Sequence, residues 1–289
     1  MTNGIAFALL SLFFAGLNDV VFKRYSAKDR SRGMVIFGIG LVWVILQGLT
    51  FIVSGADLQS DNMTLIYGLL AGVVLTLSNL MLIESLGHIE VSLGSTIYRL
   101  NTIGVVLLSV LFLHEELSTT KVAGITIGIV AILLLAKRPG AGKINSLPGL
   151  FLLLVIFASL LRAIYGVISK DGLSQGADAD TMLLMAASCW VVGGALYARF
   201  REGRFRLTRK KTAYALLSGL LVYLIVNFLI AAVARGEASI VIPVANLSFV
   251  AALLISVLLG MERLSVYKLG AMACAITSIG LLALSQTSA

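Results

Sequence analysis

The sequence predicts an all-α membrane protein with ten transmembrane helices, arranged as two inverted five-helix repeats. Three observations lead to this fold class: the composition, a series of long apolar runs and an internal repeat. Of the 289 residues, 59% are hydrophobic and 12% are charged, about half the charged fraction of an ordinary soluble domain. Polar loops cannot cover so much apolar surface, so we exclude a water-soluble globule and a disordered chain.

Continuous apolar runs divide the chain into ten predicted spans. The runs are rich in Leu, Ile, Val, Ala and Gly, and they lack the strict apolar–polar alternation of transmembrane strands, which indicates helices. A helix needs roughly 20 residues to cross the hydrocarbon core of a bilayer. The predicted spans are 3–23, 34–54, 63–85, 92–113, 121–136, 147–168, 181–198, 212–234, 240–259 and 268–285.

The basic residues predict an orientation in the membrane. The loops after the odd-numbered spans hold 17 Lys and Arg, whereas the opposite side holds three, which are Lys121, Lys170 and Arg235. Cytoplasmic loops carry the excess of basic residues in membrane proteins. We therefore predict that the loops after odd-numbered spans are cytoplasmic and that both termini face outside. The net charge of +8 has this topological role, and we expect a lipid bilayer and no nucleic acid as partner.

An internal repeat relates the two halves at an offset of 147 residues. Over the 48 ungapped pairs that begin at Ile89 and end at Ala136, 16 pairs are identical. Polar matches are the most informative, because shared hydrophobicity does not explain them. They include Glu90 with Glu237, Glu115 with Glu262, and Lys121 with Lys268. We therefore divide the chain into a first five-helix repeat at 1–138, a cytoplasmic linker at 139–146 and a second repeat at 147–289.

An odd number of spans in each repeat makes the second copy enter the membrane from the opposite side. The repeats are then related by a pseudo-two-fold axis in the membrane plane. Such inverted repeats are typical of secondary transporters, in which exchange of the two repeats' conformations gives alternating access to a site near the midplane. The repeat thus favours a transporter over a duplicated membrane scaffold.

Two matching motifs carry a family resemblance. Leu-Phe-Leu-His-Glu-Glu-Leu-Ser at 111–118 and Leu-Leu-Gly-Met-Glu-Arg-Leu-Ser at 258–265 each end the fourth span of a repeat and precede a fifth span that contains Gly and Ala. With its two five-span halves, the chain resembles the drug/metabolite transporter superfamily of the EamA type. The resemblance implies a carrier that moves small metabolites, often amino acids, out of a bacterial cell across its inner membrane. Exporters of aromatic amino acids form one branch.

Ionisable residues inside spans are candidates for gating or coupling, because a charge in the bilayer is costly. We predict that Asp19 and Arg99 pair and close the cytoplasmic side when the carrier faces out, and that Glu84 lies at a similar depth. Arg162, towards the outer side, could form an outer gate with Asn246 or hold a carboxylate of the cargo. Static pairing or snorkelling to the headgroups is the alternative for these charges. Asp19 and Glu84 are the candidates for proton coupling, whereas facilitated diffusion needs neither.

Aromatic and amide side chains are the candidates for the cavity wall. By analogy with the family, spans 1, 3, 4, 6, 8 and 9 would line the cavity, whereas Trp43 and Trp190 would belong to an outer layer. Aromatic faces with a few amides suit a mid-sized organic solute with a polar head. The candidates are Phe14, Asn18, Asn79, Tyr98, Asn101, Tyr165, Tyr223, Asn227, Asn246 and Ser248.

The sequence offers no catalytic signature, cofactor motif or metal site. His114-Glu115-Glu116 is not HExxH, and no P-loop or GxSxG motif occurs, so we expect neither an enzyme nor coupling to ATP within the chain. We expect function as a monomer. A broad drug or cation efflux carrier is the alternative transporter, although two intramembrane arginines argue against a cationic cargo. A membrane-embedded enzyme or lipid-handling protein would require a paired acid and base at one depth.

Small residues and acidic residues also have structural roles in this interpretation. Gly68 with Gly72, and Gly124 with Gly128, are spaced for close helix approach and predict packing seams. Glu115 and Glu262 precede the fifth and tenth spans, where an acidic side chain is favoured by the helix dipole.

Overall fold

The computed structural model describes residues 2–26, 31–55, 58, 61–85, 88, 94, 97–136, 149–203, 208–260 and 264–287. Within these residues the chain is all helical, as predicted, with no β-strand. The helices are α1 (Thr2–Ser26), α2 (Arg32–Ser54), α3 (Asn62–Ser85), α4 (Asn101–Leu113), α5 (Thr119–Ala136), α6 (Gly149–Ser174), α7 (Ala179–Phe200), α8 (Arg209–Arg235), α9 (Ala238–Asn246), α10 (Phe249–Leu258) and α11 (Val266–Thr287).

The helices follow the predicted spans along the chain. Among the described residues, eight segments are long and apolar enough to cross a membrane, and α9 and α10 together form one of them, Ala238–Leu258. The segments Ile97–Leu113 and Thr119–Leu134 are shorter apolar helices at the places of predicted spans four and five. The linker predicted at 139–146 lies outside the described residues.

Large apolar side chains cover the outside of the protein. Ile45 is 60% exposed, Leu111 67%, Ile276 63% and Leu284 61%. A soluble monomer does not present so much apolar surface, whereas lipid solvates it at no cost. The excess of hydrophobic residues in the composition is therefore used on both faces of the helices, towards the core and towards the bilayer.

The most extensive helix contacts join the first half of the chain to the second. Helix α1 packs against α8, α2 against α7, α3 against α6 and α7, and α5 against α11. Buried residues from both halves form one core cluster, in which Trp43 of α2 stands edge-on to Trp190 of α7 with ring centroids 5.9 Å apart. The two repeats therefore share a core between them.

Two helix breaks occur at equivalent positions of the repeat. Leu247 and Ser248 separate α9 from α10, and a turn at Leu100 interrupts the segment Ile97–Leu113. Leu100 N donates to Ile97 O, and Leu247 N donates to Val244 O, both at 3.1 Å. Pro243 lies inside α9, where its missing N–H weakens the helix, and α9 ends three residues later. Since Leu100 and Leu247 are 147 residues apart, the breaks are a property of the repeat.

The predicted glycine seams are places of close helix approach. A Cβ atom added at Gly72 would lie 2.9 Å from Ala186 Cα, between α3 and α7, and one added at Gly124 would lie 2.9 Å from Leu282 Cγ, between α5 and α11. At the latter seam Ser278 Oγ donates to Gly124 O at 2.7 Å. The absent side chains let these helices pack at short distance.

A third seam gives a test of the packing between α2 and α7. A Cβ atom added at Gly194 of α7 would lie 2.4 Å from the backbone nitrogen of Phe37, whereas nothing lies within 4 Å of one added at Gly48 of α2. We expect Gly194→Ala to destabilise the protein by about 1–3 kcal/mol through overpacking. Gly48→Ala is the matched control, and it should be neutral or slightly stabilising because alanine favours the helix. Thermal unfolding of the purified variants measures both, and equal midpoints would contradict the seam.

Candidate functional site

A cavity of about 250 Å³ lies between the two halves of the chain. Its wall is formed by α1, α3, the residues around the Leu100 turn, α6, α7, α8 and the α9–α10 break. Six of these segments correspond to the spans that were expected to line a cavity. Helix α7 is an addition, and it contributes Trp190, which the sequence placed in an outer layer. That assignment of Trp190 is wrong.

Seven of the ten predicted wall residues lie on the wall of this cavity. They are Asn18, Asn79, Tyr98, Asn101, Tyr165, Asn246 and Ser248. The predicted gating residues Asp19, Arg99 and Arg162 line the same cavity. Ser11 and Ser169 also contribute to it, although nothing in the sequence marks these serines.

The other three predicted wall residues pack between helices. Phe14 stacks on Phe228 with ring centroids 5.7 Å apart. The Tyr223 hydroxyl lies 2.7 Å from Thr50 Oγ1, and Asn227 Nδ2 donates to Gln47 Oε1 at 3.1 Å. These two polar contacts join α8 to α2. A sequence gives the position of a residue along its helix, but the rotation of a helix about its axis is set by its neighbours.

Arg99 forms the ion pair with Asp19 that the sequence predicts. Its Nη2 lies 2.6 Å from Asp19 Oδ2. Its Nη1 donates to Asn246 O at 2.9 Å and to Ser248 Oγ at 2.8 Å. The guanidinium of the first half thus reaches an acid on α1 and the helix break of the second half.

The two helix breaks are hydrogen-bonded to each other. Asn246, which is the repeat counterpart of Arg99, donates through Nδ2 to Asn101 Oδ1 at 2.7 Å and to Thr102 Oγ1 at 3.1 Å. Asn101 and Thr102 are 3% exposed. Polar residues at a helix break satisfy backbone and side-chain groups that lipid could not. Together with the Arg99 contacts, these bonds form a polar centre at the interface of the repeats.

Arg162 is the second guanidinium on the cavity wall, and it is not used in this network. It lies over the Tyr165 ring, 5.2 Å from the centroid. Within the described residues, Arg162 has no hydrogen bond and no salt bridge. The Asn18 Oδ1 and Tyr165 hydroxyl oxygens are buried, and neither has a hydrogen-bond partner in the described part of the chain.

Glu84 bonds to partners other than Asp19 and Arg99. Its carboxylate accepts hydrogen bonds from the Tyr197 hydroxyl and from Arg201 Nη2, the latter at 2.7 Å. The hydrogen bond to Glu84 raises the pKa of Arg201 above its ordinary value. These contacts join the C-terminal ends of α3 and α7, and they give Glu84 a structural partner outside the cavity wall.

A second charged cluster joins the halves near the start of α9. Glu115 accepts from the backbone nitrogens of Ala238 at 2.8 Å and Ser239 at 2.9 Å, and also from the Ser239 hydroxyl. Lys121, whose side chain is 4% exposed, pairs with Glu237. Glu115 thus precedes α5 in the chain, as predicted, and its carboxylate caps α9 of the other half. Its repeat counterpart Glu262 lies outside the described residues.

The residues that the structure describes place no group of three His, Cys, Asp or Glu side chains where they could hold a metal ion. Cys189 and Cys274 are both free thiols, in apolar helices. The chemistry of the cavity is therefore that of two guanidinium groups, one carboxylate, amides, hydroxyls and aromatic rings.

Comparison with known families decides what kind of protein this is. The EamA-like transporter family matches residues 2–137 and, a second time, residues 149–284. The chain belongs to the EamA-like transporter family. Both repeats of this EamA-like transporter carry the family pattern, so it is a multi-pass membrane protein that transports small molecules. The members of its family are transporters and not enzymes.

A solved structure shows that the fold is shared. That structure, described only as "Crystal structure of protein", is similar to this EamA-like transporter with a TM-score of 0.84 at 13% sequence identity. The similarity covers 99% of this chain and 98% of that chain. At this identity the likeness concerns the fold alone. A search of curated proteins finds no match.

Proposed function

We propose that this protein is a secondary-type transporter that exports small organic metabolites, amino acids above all and aromatic ones among them, by alternating access. The observation that carries the proposal is the cavity at the two helix breaks, which is walled by both repeats. Broken helices near the midplane form the substrate sites of inverted-repeat transporters. The proposed topology is ten spans, in two inverted sets of five, in the bacterial inner membrane with both termini outside.

The size and charge of the cavity support a small metabolite over a bulky drug. Its volume of about 250 Å³ lies below the roughly 300–1,000 Å³ of typical drug-sized ligand pockets. Trp190, Tyr98 and Phe22 give it aromatic surface, and Arg162 adds a positive charge. A positive wall repels a cation, which speaks against the alternative of broad drug and cation efflux.

The wall residues also speak against a membrane-embedded enzyme or lipid-handling protein. Among the described residues, Asp19 is the one carboxylate on the cavity wall, and Arg99 occupies it at 2.6 Å. A second carboxylate or an imidazole, the usual partner in a catalytic acid–base pair, is not among the described wall residues. We therefore retain transport as the function of the cavity.

We propose that contacts between the repeats open and close the two ends of the cavity in turn. The Glu115 and Lys121–Glu237 contacts would hold the outer end, where Lys170 Nζ also donates to Val233 O and Gly236 O at 2.9 Å. The Asp19–Arg99 pair would hold the cytoplasmic side. In this proposal the charged clusters take the role of an outer gate, since Arg162 and Asn246 form no hydrogen bond with each other and the Asn246 amide donates to Asn101 and Thr102.

Asp19 is the better candidate for proton coupling. It lines the cavity, whereas Glu84 is bound to Tyr197 and Arg201 outside the wall. If transport is coupled to protons, the carboxylate that binds the proton should both line the cavity and take part in the gating ion pair. Asp19 does both. Glu84→Gln is thus the control for Asp19→Asn. We propose that the protein functions as a monomer, since Asp19 and Arg99 both belong to the same chain.

Counterflow in proteoliposomes tests the proposal. Vesicles loaded with unlabelled phenylalanine should accumulate labelled phenylalanine through the protein, and a panel of amino acids and other metabolites should compete according to their fit. An imposed pH gradient should raise uptake if Asp19 carries a proton, and Asp19→Asn should remove that increase whereas Glu84→Gln should keep it. A folded protein that shows no counterflow with any member of the panel would refute metabolite transport.

A further inference from the structure

The charges on the cavity wall do not balance. Among the described residues, the wall contains two guanidinium groups and one carboxylate. Asp19 is engaged, because it pairs with Arg99. Arg99 also donates to Asn246 O and Ser248 Oγ. One positive charge therefore remains on the wall, and it is that of Arg162.

Arg162 has unused hydrogen-bonding capacity. Its contact is the face of the Tyr165 ring at 5.2 Å, and a cation–π contact leaves the guanidinium N–H groups without acceptors. Within the described residues no carboxylate or carbonyl accepts from them. A guanidinium inside a bilayer protein is costly unless an anion or water meets it, and Arg162 faces the cavity.

Tyr165 supplies a second donor beside Arg162. The two residues are three positions apart on α6 and thus on one face of the helix, and both line the cavity. The Tyr165 side chain is buried at 3% exposure, and no group of the described residues accepts a hydrogen bond from its hydroxyl. A guanidinium and a hydroxyl on the wall of one cavity can serve together as donors to an oxyanion.

Resting on the proposed function, we infer that the transported solute carries a carboxylate and that Arg162, assisted by the Tyr165 hydroxyl, binds it. A single uncompensated charge matches a monoanionic group, whereas a doubly charged phosphate would leave a net negative charge in the cavity. An ammonium group finds neutral acceptors, such as the unpartnered Asn18 Oδ1. Zwitterionic amino acids and simple carboxylates thus both fit, and a solute without a carboxylate does not.

Three analogues of one size separate these possibilities. Phenylalanine has both charged groups, phenylalaninamide lacks the carboxylate, and 3-phenylpropionate lacks the ammonium. In competition against labelled phenylalanine counterflow, 3-phenylpropionate should compete within a few-fold of phenylalanine. Phenylalaninamide should be weaker by roughly tenfold to a hundredfold, the loss expected for a charge-assisted hydrogen bond.

Variants of Arg162 connect this selectivity to one side chain. Arg162→Gln should raise the half-saturating phenylalanine concentration by roughly tenfold to a hundredfold and remove the preference for 3-phenylpropionate over phenylalaninamide. Arg162→Lys should keep the preference in part, because it keeps the charge but not the planar donor pair. Tyr165→Phe should weaken binding by a few-fold.

Arg235→Gln is the matched control. Arg235 also lies over an aromatic ring, that of Phe7 at 4.8 Å, but it is not on the cavity wall, so this change should leave counterflow as it is. Among the described residues Arg162 has no hydrogen bond or ion pair to lose, and the variant gives up the contact with the Tyr165 ring. Arg162→Gln should therefore unfold close to the wild-type temperature, which separates a binding defect from misfolding.

The outcomes of these experiments test the carboxylate site and the proposed transport function separately. Equal competition by phenylalaninamide, or unchanged selectivity in Arg162→Gln, would overturn the carboxylate site while wild-type counterflow still upheld the proposed function. Counterflow of phenylalaninamide without counterflow of phenylalanine or 3-phenylpropionate would also overturn the carboxylate site and leave the proposed function standing. Absence of counterflow for all three analogues and for the wider metabolite panel would instead overturn the proposed function, and the carboxylate site with it.

Discussion

Replacing Arg99 with glutamine should remove most transport and lower the free energy of unfolding by about 2–3 kcal/mol. The change leaves Asp19 without its cation and breaks the bonds to Asn246 O and Ser248 Oγ. Breaking a buried pair at one partner costs about 3–5 kcal/mol. We expect a smaller value because the Asp19 side chain is 39% exposed. The loss of transport should be larger than the loss of stability implies, since the same bonds join the two helix breaks.

A double-mutant cycle with Asp19→Asn measures this pair directly. Each single variant removes one charge and leaves the other unpaired, whereas Arg99→Gln with Asp19→Asn removes both. The double variant should therefore be more stable than the sum of the single effects predicts. Additive effects on unfolding would contradict an energetic pair. In the gating proposal, the single variants should also increase labelling of the cavity by thiol reagents from the cytoplasmic side, and unchanged labelling together with unchanged transport would end that proposal.

Glu115→Gln should destabilise the start of α9 and the contact between the halves by about 2–3 kcal/mol. The carboxylate accepts from Ala238 N, Ser239 N and the Ser239 hydroxyl, and hydrogen bonds to charged groups contribute about 1.5–3 kcal/mol each. A glutamine side chain keeps one acceptor oxygen, which limits the loss. If this cluster holds the outer end of the cavity, the variant should also make the cavity more accessible from outside.

Glu116→Gln is the matched control for that variant. Glu116 is the next residue, and it is exposed whereas Glu115 is half-buried. Both changes remove one negative charge at almost the same place, so any difference in thermal midpoint reports the bonds to α9. Accessibility is read from a cysteine placed at Ser169, which lines the cavity, in a background without Cys189 and Cys274. Equal midpoints and equal labelling in the two variants would argue that Glu115 is not a contact between the repeats.

The helices and their repeat could be predicted well from the sequence. Hydropathy places each helix because transfer into a bilayer depends on the local run of side chains. The 147-residue repeat also anticipates the equivalent positions of Arg99 and Asn246, and the spacing of Gly68 and Gly72 marks a helix seam. The family match at 2–137 and 149–284 agrees with a duplicated chain.

The candidate site could be predicted in part. Asp19, Arg99 and Arg162 all lie on the cavity wall, because an ionisable residue within a span must face a polar environment. Tyr223 is not there, although its residue type and depth are suitable. Aromatic and amide side chains are stable both on a wall and between helices, so only the packing of neighbours tells which place they take. Trp190 was missed for the same reason.

The sequence by itself determined the membrane-spanning character, the family resemblance and the repeat, since all of these depend on residue order and local hydropathy. The tertiary structure alone decided which charges are partnered. Asp19 forms an ion pair with Arg99, and Glu84 forms one with Arg201. Arg162 lies against the face of the Tyr165 ring. The physical reason is that pairing depends on helix rotation and on contacts between residues far apart in the chain. That same pairing leaves one positive charge facing the cavity.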